Sequence, residues 1–183
     1  MWQLLILLSS LPIAAVLLLR AWFGLRVLKS AGARTVSAAP QRWLAITGCP
    51  ASPPTAAAAG RELRQAALDD WRAREPGQVK AWESARRFGM AVPPLAVAIV
   101  LLGIIATRIQ PMLGIAGVCV LVALAALFNL LHLGAEIRAI AAAATRVRES
   151  RAFHRQDDEE AVISCATAHA WCEAVPPILR WLR

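Results

Sequence analysis

The sequence predicts an all-α integral membrane fold: three transmembrane helices with a small helical cytoplasmic segment. Three observations carry this. Phe88 to Thr107 and Met112 to Leu133 are 20 and 22 residues without Asp, Glu, Lys or Arg. At about 1.5 Å per residue each reaches about 30 Å, the thickness of a hydrocarbon core. Only Arg108-Ile109-Gln110-Pro111 joins them, which leaves room for a tight helical hairpin and little else. No strand alternation of any length occurs, and 58% hydrophobic composition with mean hydropathy +0.52 is too apolar for an ordinary soluble domain.

The first element is the apolar run over residues 1–19, interrupted by Gln3, Ser9, Ser10 and Pro12. A cleaved signal peptide competes for this stretch. No basic residue precedes its core and no small-x-small site follows it, so it reads as a retained span. Trp2 and Trp22, 20 residues apart, are placed for opposite interfaces.

Residues 20–87 form a basic segment with twelve Lys/Arg against five Asp/Glu, whereas the hairpin link offers Arg108 alone. The positive-inside rule therefore puts residues 20–87 and 134 onward in the cytoplasm of a cell (inner) membrane protein, with the amino terminus outside. Trp22, Phe23, Leu25 and Leu28 alternate with Arg26 and Lys29, either continuing the first helix or lying on the headgroups. The prolines and glycine of Ala38 to Pro54 read as loop. Thr55 to Arg74 reads as a helix capped by Thr55, with Leu63, Ala67 and Trp71 on one face, charges on the others, and Pro76-Gly77 as its stop. Gln78 to Arg87 reads as a second short helix that leads into the membrane.

The transmembrane hairpin, 88–133, follows as 88–107 and 112–133. Pro93-Pro94 marks a kink or a late start in its first arm. Gly103 and Thr107 have the spacing for close helix contact. Asn129 and His132 are read as an interhelical hydrogen bond and an interfacial imidazole. The last segment, 134–183, continues the helix to about Arg151 with Ile137, Ile140, Ala144 and Val147 on one face. The acidic run Asp157 to Glu160 is the solvated start of a final apolar helix, Ala161 to Leu182. That helix is a fourth span, a re-entrant segment or an interfacial helix partly buried against the other spans.

A net charge of +8 admits a nucleic-acid partner. Its basic residues sit beside apolar runs, where they set topology and meet lipid, and no zinc finger or RNA-binding aromatic signature is present. The expected partners are the bilayer, anionic headgroups through Arg20, Arg26, Lys29, Arg86 and Arg87, and a protein partner or second copy; nucleic acid is not expected.

Metal chemistry has two candidate sets. Cys165, His169 and Cys172 fall at i, i+4, i+7 with Glu173 adjacent, a face suited to zinc ligation, with Cys49 or Glu136 as a fourth ligand. Packing between helices explains the same residues, and Cys119 inside the second arm needs no further role. His132 and Glu136 are also i, i+4. No HExxH, GxSxG or Walker loop occurs, and three histidines leave few ways to build a hydrolase. No catalytic residue and no resident cofactor are expected.

Four stretches resemble one family in order. Leu19 to Arg34 (LRAWFGLRVLKSAGAR) looks like a basic juxtamembrane stretch, and Ser52 to Leu63 (SPPTAAAAGREL) like a first cytoplasmic helix. Ser84 to Ala96 (SARRFGMAVPPLA) looks like the lead into a second span, and Asn129 to Ile140 (NLLHLGAEIRAI) like the exit from a third. The layout is similar to that of the bacterial membrane zinc metallopeptidases of the neutral type. That family carries HEAGH before its membrane hairpin and an exit motif close to LPVEFDAS. The resemblance implies that Glu136 matches a glutamate that helps hold zinc. Between Trp71 and Ser84 there is no HEAGH, and Arg138 stands where the family has an aspartate, a cation opposed to metal binding. What it implies here is a shortened, non-catalytic member acting as an accessory or binding subunit. A small oligomeric transporter or channel subunit, and a metal-binding protein using Cys165, His169 and Cys172, are the alternatives.

Overall fold

A computed structural model describes residues 2–49, 53–106, 108–176 and 179. The elements are α1 (Trp2–Leu19), a π-helical segment (Arg20–Leu25), α2 (Arg26–Ser30), α3 (Pro40–Thr47), α4 (Ala56–Arg74), α5 (Pro76–Ile105), α6 (Pro111–Ser150) and α7 (Gln156–Ala174). Among the described residues there is no strand, only isolated bridges between Thr35 and Thr55 and between Ala38 and Phe153. The fold is all-α. Three helices, Gln3–Ser30, Pro76–Ile105 and Pro111–Ser150, are long and apolar enough to cross a membrane. Their large side chains bear this out physically: Leu4, Leu8, Leu102, Ile105 and Leu131 are each more than 65% exposed. Water would penalise such a surface, and lipid would not.

The chain divides into two units. The first comprises residues 1–18, 80–132 and 174–183. Within it Val16, Val122, Ala126, Val175 and Leu179 form a buried apolar cluster. Phe88 meets Phe128 edge-on, with ring centroids 5.9 Å apart. Ser9 and Ser10 donate to the carbonyls of Ile6 and Leu7, which satisfies their hydroxyls inside an apolar helix. At the hairpin tip the amides of Arg108 and Ile109 both donate to Gly103 O, at 2.9 and 3.1 Å. The Ile109 side chain folds onto Gly103, filling the space a Cβ there would take. Pro111 then starts α6 at a position that needs no amide. The glycine expected to serve helix contact thus serves the turn, and Gly114 is the one that packs closely on Val100 across the hairpin. Thr107, expected to share the small-residue spacing, lies outside the described residues.

The second unit comprises residues 19–79 and 133–173. Its central helix is α4. Thr55 caps it, its hydroxyl accepting from Ala58 N at 3.3 Å. Ala56, Ala59, Gly60, Leu63, Ala67, Leu68 and Trp71 recur at three- and four-residue steps, and all are buried. Gly60 lets α7 approach: a Cβ there would lie 2.7 Å from both Ala166 N and Cys165 Cβ. Trp43, fully buried, donates from Nε1 to Glu62 at 2.9 Å and meets Phe153 edge-on. Phe23 stacks on Trp171 at 5.3 Å. Beyond Leu133, α6 buries Ile140, Ala143, Ala144 and Val147, and ends at Ser150 before Arg151 at φ 48°.

Several expectations are corrected. Pro40–Thr47 is helical where a loop was expected over Ala38 to Pro54. Proline at the first helical position costs no hydrogen bond, and Gly48 at φ 72° closes the helix. Residues 50–52 lie outside the described chain. Gln78 to Arg87 is no separate helix: α4 ends at Arg74, and Pro76 opens a single helix that runs to Ile105 through Pro93 and Pro94. A late start at those prolines is thereby excluded. The last helix begins at Gln156, not Ala161, and ends at Ala174, so its acidic residues form its first turn. It is not among the helices suited to cross a membrane. It packs on α4 at Gly60 and meets Phe23 and Gly24 through Trp171 and Cys172, and past its end Val175 and Leu179 are buried with Val16 and Val122, so the expected partial burial against the spans holds. Its expected end, at Leu182, falls outside the described residues, as does the Trp2 side chain.

Candidate functional site

Of the residues singled out in the sequence, Glu136 has the most specific surroundings. Two residues past Leu133 on α6 comes Ala135, then Glu136, which is 4% exposed. Opposite it Arg64 of α4 is 5% exposed. Arg64 Nε donates to Glu136 Oε1 at 2.6 Å. Nη2 lies 2.5 Å from the same oxygen without a hydrogen-bonding angle of its own. Nη1 reaches Glu173 Oε1 of α7 at 2.7 Å. One guanidinium therefore ties three helices together. Burial by itself would lower the Arg64 pKa, but Glu136 and Glu173 outweigh it and hold the side chain firmly charged.

Chemically this is a clamp. The buried carboxylate and guanidinium match in charge at hydrogen-bond distance, and a buried pair broken on one side is costly. Arg64 is the site residue that sequence reasoning missed. It was placed with the charges on the outer faces of α4, yet it lies at i, i+4, i+7 with Leu68 and Trp71 on the buried one.

The second candidate set is brought to α7 but not to one point. Cys165 is buried against Gly60, and its thiol pKa is pushed up by burial. His169 Nε2 is 3.0 Å from Ala57 O, consistent with a neutral ring donating to that carbonyl. Burial lowers its pKa most, Arg61 and Arg64 add to that, and the Ala57 carbonyl and Glu173 oppose it. Cys172 packs on Gly24, whose missing Cβ would lie 2.6 Å from Sγ. Each of the three thus faces a different neighbour. Among the described residues no group of three or more His, Cys, Asp or Glu is arranged to hold a metal ion. Cys49 lies after α3, half-buried, its amide donating to Thr47 Oγ1.

Of the five basic residues expected at headgroups, two lie over indoles. Arg26 lies 4.6 Å over the Trp22 ring, and Arg86 lies 4.7 Å over Trp82. Arg87 is 3.8 Å from Glu83. In the buried span region Asn129 sits beside Gly89, and its Oδ1 has no hydrogen-bond partner among the described residues.

These features define a class: an all-α protein with three helices suited to cross a membrane and a helical unit closed by a buried charge clamp. Comparison with protein-family models, with curated proteins and with solved structures gives no match.

Proposed function

We propose that this chain is a non-catalytic membrane subunit, similar in layout to the membrane zinc metallopeptidases but lacking their chemistry, and that it serves as an accessory or binding component. The observation that carries the reading is the Arg64–Glu136 pair. The resemblance puts Glu136 where a zinc-supporting glutamate would be, and in this chain the carboxylate neutralises an arginine. An ion pair at that place favours a scaffold over a hydrolase, and the missing HExxH agrees. The reading includes the orientation given by the positive-inside rule: amino terminus outside, residues 20–87 and 134 onward in the cytoplasm of an inner-membrane protein. Zinc analysis of the purified chain, paired with a casein-cleavage assay, tests it. Substoichiometric zinc and no cleavage are expected; one zinc per chain with cleavage would overturn it.

A second reading draws on Asn129. An amide oxygen buried inside a span without a partner among the described residues is costly unless another chain or a polar substrate meets it. This favours an oligomeric transporter or channel subunit. A monomer in native mass spectrometry, with no flux in liposomes, removes that reading.

A further inference from the structure

Where α4 ends and α5 begins, the stretch of α6 beyond Leu133 passes close by and leaves a cavity of about 270 Å³. Trp71, Arg74, Glu75 and Gln78 line one side; Arg138 and the alanines at 135, 139 and 142 line the other. The alanines recur at i, i+4, i+7, so the α6 wall is one small-residue stripe with a single long cation standing from it.

The charge distribution favours an anion. Arg74 Nη2 is held by Asp70 at 2.7 Å, which fixes the guanidinium and leaves its other donors available. Arg138 and the Gln78 carboxamide have no hydrogen-bond partner among the described residues. Glu75 is the one carboxylate in the lining, and it is turned to Trp71, whose Nε1 donates to it at 3.4 Å. α5 is 30 residues long and starts at Pro76, so the amides of Gly77 and Gln78 lie in its first turn, without i−4 partners, at the positive end of its dipole.

Size and depth narrow the ligand. Sites for drug-sized molecules run to about 300–1,000 Å³, so this cavity suits a headgroup-sized anion and not a nucleotide or a folded peptide. Arg138 is five residues past Leu133 on a continuous helix, about 7.5 Å beyond the end of the apolar run. That is the depth of lipid headgroups, whose layer adds roughly 5–8 Å to each side of the hydrocarbon core.

We propose that this cavity binds one phosphate group, as carried by an anionic lipid headgroup or by free phosphate, with Arg138 and Arg74 as the cationic ligands and Gln78 as a neutral donor. This goes beyond the accessory-subunit reading and does not depend on the metallopeptidase resemblance. It assigns a pocket with a defined occupant, distinct from the general attraction of exposed basic residues to anionic membranes.

Native mass spectrometry of the full-length chain in detergent tests it, with phosphatidic acid and phosphatidylcholine as probes. The wild-type chain should retain phosphatidic acid in preference to phosphatidylcholine. Arg138→Gln should weaken that retention about tenfold, equivalent to about 1.4 kcal/mol. Arg138→Lys should keep most of it. Arg155→Gln, the same charge change at another exposed arginine, should leave it intact. Equal loss in Arg138→Gln and Arg155→Gln, or no loss in either, overturns the proposal. Inorganic phosphate added at matched concentration separates the sources. If it displaces the lipid at equal potency, the site stands with free phosphate as its occupant; if it does not, the lipid is the occupant. Arg138 is exposed, so its variants should fold, and unchanged tryptophan emission verifies this. No zinc or proteolysis is read, so this test and that of the accessory-subunit reading fail independently.

Discussion

At the scale of single residues, Arg64 and His169 carry predictions of opposite kinds. Arg64→Ala breaks the buried pair on one side and should destabilise the chain by about 3–5 kcal/mol. Replacing both partners, as in Arg64→Met with Glu136→Leu, removes the buried charges together and should recover most of that loss. Thermal unfolding in detergent, followed by tryptophan fluorescence, compares the two; a double variant as unstable as Arg64→Ala would show that the pair does more than match charge. His169 acts through pH. Its folded pKa lies below the ordinary value, chiefly through burial, so between the two values the unfolded chain binds more protons. The stabilising contribution is therefore present above about pH 6.5 and is lost as pH falls through the folded pKa. Unfolding midpoints measured from pH 7.5 to 5 should fall in the wild type and fall less steeply in His169→Gln. Glu136 could be picked out from the sequence, but its partner could not, because the two residues are 72 positions apart and one sequence carries no sign of which pairs meet. A cation in phase with Leu68 and Trp71 was the available signal.

At the scale of elements, glycines separate packing from propensity. Ala is favoured over Gly in a helix by about 1 kcal/mol, so Gly→Ala stabilises wherever space allows. Gly117 on α6 has nothing within 4 Å of a built Cβ, and Gly117→Ala should raise the unfolding temperature slightly. At Gly60 the added methyl meets backbone atoms of Ala166 and Cys165, which cannot yield as a flexible side-chain tip does. Gly60→Ala should lose about 1–3 kcal/mol by overpacking, and α7 should become accessible to protease first. The hairpin and the long α6 were legible in the sequence because the absence of charge over 20 residues leaves few alternatives. α3 was not, because Pro40 and Gly48 read as breakers when they are in fact its two ends. Thr55 was legible as a cap because its hydroxyl acts within three residues, a range that sequence spacing resolves.

At the scale of the whole molecule, the proposed orientation has a direct chemical readout. A membrane-impermeant maleimide should reach Cys49 from the cytoplasmic side only, and so in inside-out vesicles. An Arg108→Cys chain carrying Cys49→Ser should react in right-side-out vesicles instead. Labelling of Cys49 from outside and of the Arg108→Cys position from inside would reverse the orientation, and labelling of both positions from one side would break the three-span arrangement. Charge counts and apolar length could be read from the sequence because each depends on composition over long stretches, whereas the contacts inside each unit depend on individual pairs. The π-helical segment Arg20–Leu25 has a further consequence for how this chain tolerates change in its length. A π-turn closes from i to i+5, so it stores about one residue more than an α-turn over the same rise. Removing Ala21 should let the segment relax into α geometry while the residues on either side of it keep their angular position. Removing Ala15 instead, inside regular α1, turns everything downstream by about 100°. Folded yields of the two deletion chains should differ accordingly, and the spare residue at 20–25 marks where this first helix can gain or lose length.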